Sequence, residues 1–184
     1  TDMADNEFGY TAWGKDWVRL AEPLNLTKPE PLLPRARSIA RNNGVRTEIE
    51  GTVVRAHIHR GSEASVTHLE LTSFPRATID AIAAMVPADS LTLGDDLHAA
   101  VLAAGISVTP ILAAADCSCR ARNARCLHML AACYAVVRLI DENPWLALDL
   151  QGYRLAPPAA DTEAPVSIPR WTPIDALDPA VYFG

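Results

Sequence analysis

Lysine is nearly missing from this chain: Lys15 and Lys28 are the only two, so its positive charge rests on arginine. Because the arginine comes with abundant alanine and proline, the preference reads as genomic base composition and carries no message about phosphate. The formal net charge of −6 excludes a protein that holds polyanions by bulk attraction alone. Also absent is any apolar run near the ~20 residues that cross a bilayer. The opening residues have neither the basic nor the apolar stretch of a secretory leader. The expectation is a cytoplasmic protein with no membrane partner. Signatures of catalysis are missing as well: there is no phosphate loop, no Gly-x-Ser-x-Gly elbow and no paired His-Glu motif. Acids stand singly or, as Asp95-Asp96 and Asp141-Glu142, beside predicted helix ends, where a cap or the helix dipole accounts for them. The chain is therefore read as not an enzyme.

What is present in concentrated form is thiol and imidazole. Cys117-Ser118-Cys119 is followed, after six residues, by Cys126-Leu127-His128. In a reducing compartment clustered cysteines read as a metal site rather than a disulfide framework. Three thiolates and an imidazole make a full tetrahedral set for one Zn2+ ion, and a set completed by protein leaves no open position for water or substrate. The zinc is read as structural. If Cys117 and Cys119 lie on a strand, residues two apart project to one face. Cys126 and His128 then need a tight turn running into a helix, whose body is the apolar stretch 129–140. Arg120, Arg122 and Arg125 fall on the tip between, where they offset the negative charge that three thiolates leave around a divalent ion. Cys133 lies five residues past His128, about 140° around a helix of 3.6 residues per turn, and is read as a small core residue rather than a further ligand.

Around this cluster the pattern predicts an α+β fold: a small antiparallel sheet packed with helices, then a zinc-binding hairpin-helix finger, then an irregular Pro-rich tail. Residues 1–34 contain a short amphipathic helix with Trp13, Trp17, Leu20 and Leu24 at helical spacing, its two Trp expected to pack on the sheet. Pro23, Pro29, Pro31 and Pro34 then predict an extended connector. Residues 35–112 hold the sheet. Val45-Thr47-Ile49, Val54-Ala56-Ile58 and Thr67-Leu69-Leu71 alternate with polar neighbours across turn signals at Glu50-Gly51 and Arg60-Gly61-Ser62, which predicts a three-strand meander. Pro75 opens a helix that Pro87 stops, and Thr92-Leu-Gly-Asp95 has capping-box spacing for another that Gly105 ends. Residues 106–112 are expected to return as a strand that delivers Cys117 and Cys119. Residues 113–152 form the finger, with a helix so apolar that it has to be buried, and one more turn begun by Asn143-Pro144. Residues 153–184 read as an acidic Pro-rich tail whose aromatic anchors Trp171, Tyr182 and Phe183 either wrap back on the domain or dock on a partner, the latter reading favoured because they sit at the far end.

Charge is uneven along the chain. From Arg35 to Arg60 there are six Arg against two Glu, and from Cys117 to Arg138 four Arg and no acid. The wet face of the predicted sheet carries Arg46 and Arg55 beside His57 and His59, so that face and the Arg120, Arg122, Arg125 loop are the candidate nucleic-acid surface. His57, His59 and His68 have no thiol or carboxylate at ligand spacing and are read as exposed sheet residues.

The run C-x-C, short gap, C-x-H, helix resembles the SWIM zinc finger, the module of bacterial partners of Snf-type helicase-like ATPases and of Mutator-type transposases. Phe8-Gly9-Tyr10-Thr11-Ala12-Trp13-Gly14-Lys15-Asp16-Trp17 is similar to the F-G-x-T-W-W-G-x-x-W opening of stand-alone bacterial SWIM proteins. Arg35 to Gly44 resembles the arginine-rich approach to their sheet, and Asp141-Glu-Asn-Pro-Trp145 their D-x-D-P-F stretch. Family fingers usually have Pro-Asp after the second Cys and Lys before the His, where this chain has Arg120-Ala121 and Leu127. The resemblance covers most of residues 8–152 and implies a Snf-type helicase-like ATPase as partner. Two functions follow: a non-catalytic zinc-finger adaptor that binds DNA or another nucleic acid, the ATPase, or both; or a purely protein–protein interaction subunit.

Overall fold

The computed structural model describes residues 7–25, 28, 30–121 and 125–155. Its elements are α1 (Ala12–Ala21), α2 (Leu33–Arg41), β1 (Val45–Glu50), β2 (Val53–Arg60), β3 (Glu63–Leu71), α3 (Arg76–Met85), α4 (Asp95–Ala103), β4 (Leu112–Cys117), α5 (Leu127–Glu142) and α6 (Trp145–Asp149). The fold is α+β, with one four-stranded antiparallel sheet in the order β1-β2-β3-β4. Two-residue turns at 51–52 and 61–62 set the register, so Val54, Ala56, Ile58, Thr67 and Leu69 share the dry face and are buried.

Against that face lies α5, which touches all four strands and, on its far side, α1 and α2. Being covered on both sides explains why it is apolar all round: eleven of its sixteen residues are buried, from Met129 to Asp141. Trp13 and Trp17 are each 1% exposed. They lie on α1, which packs chiefly on α5 rather than on the strands, so the expected Trp-to-sheet packing is replaced by helix-on-helix packing.

Polar groups tie the helices together. Asp141, buried near the end of α5, accepts from Gly9 N at 2.7 Å, Thr11 N at 3.0 Å and Thr11 Oγ1 at 2.8 Å. Thr11 in turn caps α1 by accepting from Gly14 N at 2.9 Å. Gly14 has no alternative, because a Cβ there would sit 2.1 Å from Asp141 Oδ1. Glu22, Arg37 and Tyr134 join α1, α2 and α5 through a second cluster, and burial there pushes the Tyr134 phenol upward from its ordinary pKa. Asp16 on α1 and His98 on α4 form a buried pair at 2.7 Å.

Three details depart from the sequence expectation. Pro34 does not extend a connector but opens α2, since a first-turn position needs no N–H. Thr92 does not cap α4; Gly94 is the N-cap, and Asp95 instead accepts from Ala12 N at 2.9 Å, serving the start of α1. The last strand begins at Leu112, where the predicted one ends. Pro110 has no N–H for a ladder, and the stretch before it is held by Gln151 Nε2 donating to Val108 O at 3.0 Å. Gly105, at φ +78°, closes α4 as expected, with its N–H reaching Leu102 O at 2.9 Å and Ile106 N reaching Val101 O at 3.2 Å.

Candidate metal centre

Four side chains from three local structures meet at one end of the sheet. The ligand atoms of Cys117, Cys119, Cys126 and His128 all lie within 4.8 Å of one another, and together they can hold one metal ion. Cys117 is the last residue of β4, opposite Thr67 of β3. The strand does not continue to Cys119 as expected. Ser118 turns its side chain into the ladder, where Oγ accepts from Val66 N at 2.9 Å while Ser118 N donates to Val66 O at 2.9 Å. The chain bends there, and the bend rather than strand periodicity carries Cys119 to the site.

Cys126 is the N-cap of α5, with ψ 161°, and its sulfur accepts from Met129 N at 3.4 Å. Its position at the positive end of a sixteen-residue helix favours a thiolate. In the protein alone burial wins, pushing the Cys126 thiol up to about 12 against the pull of that N–H. Burial also raises Cys117, but hydrogen bonds from Thr67, whose hydroxyl lies 3.5 Å from the sulfur, and from the neighbouring thiols outweigh it and leave Cys117 below the ordinary thiol value. Thr67, fully buried, is a supporting residue that sequence reading missed; its signal is the cross-strand register that sets it opposite Cys117. Cys133 lies outside the cluster, 2% exposed in the core, as expected.

The arginines separate into different roles. Arg125 is turned inward: it donates to Ala21 O at the end of α1 and sits 3.8 Å from Glu30, which ties the segment before α5 to the helical layer. Arg120 is exposed and lines an open groove of about 690 Å3 beside the cluster, together with Arg35, Glu63, Ser65, Ser118 and His128. Arg35 belongs to the site though sequence reading placed it only in the approach to the sheet; α2 is what brings it there. Arg122 lies outside the described residues, as do Trp171, Tyr182 and Phe183.

Arg46 and Arg55 do lie on the solvent face of the sheet, but that face is not cationic. The register interleaves them with Glu48, Glu50, Glu70 and Asp116, and Arg55 reaches Glu50 at 3.7 Å. His57 stands 3.7 Å from Glu48 on the same face. Strand alternation gave each arginine a wet position; only cross-strand pairing reveals the acids beside it. Among the described residues no helix is long and apolar enough to cross a membrane. Comparison with protein-family models, with curated proteins and with solved structures finds no match to this chain.

Proposed function

We propose that this chain is a non-catalytic adaptor whose single structural zinc ion fixes a docking groove, and that its partner is a protein. The observation that carries the reading is the complete donor set. Zinc–sulfur bonds of about 2.3 Å place tetrahedral ligands roughly 3.7 Å apart, and ligand atoms already within 4.8 Å need only a small contraction. Three sulfurs and one imidazole nitrogen in tetrahedral reach favour zinc over harder ions. With all four positions supplied by the chain, the metal offers nothing to a substrate. What it does is join the end of β4 to the start of α5, and so set one wall of the groove that Arg35 and Arg120 flank.

A protein partner is favoured over nucleic acid by the acids on the sheet face and by the internal engagement of Arg125. The likeness to stand-alone SWIM proteins nominates a Snf-type helicase-like ATPase. One specific observation favours the second reading: Arg35 and Arg120 line the same groove, in which Glu63 is the one acid among the described residues, a cationic strip on which a phosphate backbone fits.

The test joins metal analysis to partner capture. The full chain purified without added metal is expected to carry one zinc per molecule, and Cys117→Ser, Cys119→Ser, Cys126→Ser or His128→Ala to lose it. A paired Arg35→Glu, Arg120→Glu variant is expected to keep the zinc and lose the captured protein. Retention of DNA by the intact chain, with affinity falling steeply as salt rises, selects the nucleic-acid reading instead. A metal-free native chain removes both.

A further inference from the structure

We infer that β1 is a homodimer interface: the chain pairs with a second copy, antiparallel and about a two-fold axis at Thr47, to make one continuous sheet. Among the described residues β1 is an edge strand, paired only with β2. In the β1–β2 ladder Gly44, Arg46, Glu48 and Glu50 turn their backbone groups to β2, as His59 N donating to Gly44 O shows. Val45, Thr47 and Ile49 therefore aim theirs outward, and among the described residues no hydrogen bond reaches those N–H groups.

Edge strands are ordinarily blunted by charged side chains, lysine above all, by proline, by a bulge or by a covering element. β1 has neither lysine nor proline, its charges Arg46, Glu48 and Glu50 are of both signs, and its register with β2 runs unbroken from Val45 to Glu50. The opposite edge, β4, is shifted at Glu70/Leu71 and ends in the metal loop. The β1 edge also carries a large apolar side chain exposed on the core side of the sheet, Ile49, 39% exposed.

Side-chain charge selects the occupant and the register. A two-fold partner has to bring its own outward residues opposite Val45, Thr47 and Ile49. With Thr47 facing Thr47 of the second copy, Arg46 faces Glu48 of that copy, and Glu48 faces its Arg46. These fall in the non-hydrogen-bonded pairs, where cross-strand side chains approach most closely. On the other face Val45 meets Ile49 of the second copy. An axis at Arg46 sets Arg46 against Arg46, and an axis at Glu48, though it pairs Arg46 with Glu50, sets Glu48 against Glu48. Only the alignment on Thr47 pairs Arg46 with an acid and opposes no like charges. Arg46 has no ion pair among the described residues, so it is available for this one. A hollow of about 150 Å3 opens beside the edge, lined by Val45 and Thr47 and by Ala135, Arg138, Leu139 and Glu142 of α5. Ile49 of the second copy, opposite Val45, is the side chain placed to enter it.

The test is the solution mass of the full chain by sedimentation equilibrium, with charge reversals at two exposed positions remote from the metal ligands. Wild type is expected as a dimer. Arg46→Glu and Glu48→Arg each turn two attractive pairs into repulsive ones, so each single variant is expected to weaken association about tenfold or more. The double variant, which exchanges the two charges, restores the pairs and is expected to dimerise like wild type. Thr47→Pro, which blocks only an outward N–H, is expected to be a folded monomer. A monomeric wild type, a dimer indifferent to the single reversals, or a double variant as weak as the singles overturns the inference.

Discussion

Asp141 shows how much a single residue decides here. Its carboxylate collects three donors from the segment that starts α1, across more than a hundred residues of chain, and Gly14 is the glycine that lets it come close. Gly14→Ala places a methyl group into that carboxylate and is expected to lower stability by about 1–3 kcal/mol. Asp141→Ala leaves the Gly9 and Thr11 N–H groups without their acceptor and is expected to cost a similar amount or more. Thermal melts of the two variants check this, and the double variant is expected to fall short of the sum of the singles because they act on one contact. The sequence shows both residues, and their membership of motifs at opposite ends of the resemblance, but not their meeting. Asp141 reads locally as a helix-end acid. Its actual work is to start a different helix.

At the level of elements, what was legible is what depends on local period. The alternation at 45–71 gives the three strands and their buried face, and the apolar stretch after His128 gives α5. What failed depends on a neighbour. Pro34 reads as a breaker unless the helix that begins with it is recognised, and the switch from strand to bend at Ser118 depends on β3 presenting Val66 N. The four candidate ligands were legible because the requirement on them is chemical; the groove was not, because Arg35 comes from an element eighty residues earlier that was not foreseen. A metal ion held by the four ligands would join the end of β4 to the start of α5. Removing zinc with a chelator is expected to expose Cys117, Cys119 and Cys126 to alkylation in the still-folded chain. Cys133 stays protected, since burial keeps its thiol out of reach and pushes its pKa up to about 12. Mass mapping of alkylated cysteines before and after chelation reads this out, and Cys133 reacting with the others contradicts it.

For the whole molecule the governing fact is that α5 is the common partner. Sheet and helical layer each rest on it, and the helices α1 and α2 touch the strands chiefly through it. Stability is therefore concentrated along one rod. Hydrogen exchange is expected to be slowest in the middle of α5, around residues 130–137. The 117–121 bend exchanges earlier, and that order persists after chelation. An α5 that exchanges as early as the bend contradicts the central role assigned to it.

That arrangement has a consequence for synthesis. Every strand, and both helices of the outer layer, leave the ribosome before the rod they need has been made. Until then the nascent chain has a sheet with one bare greasy side and a tryptophan-bearing helix with nothing to rest on. A message cut short anywhere before residue 127 yields a product with no native state to reach, and one fit only for chaperones and proteases.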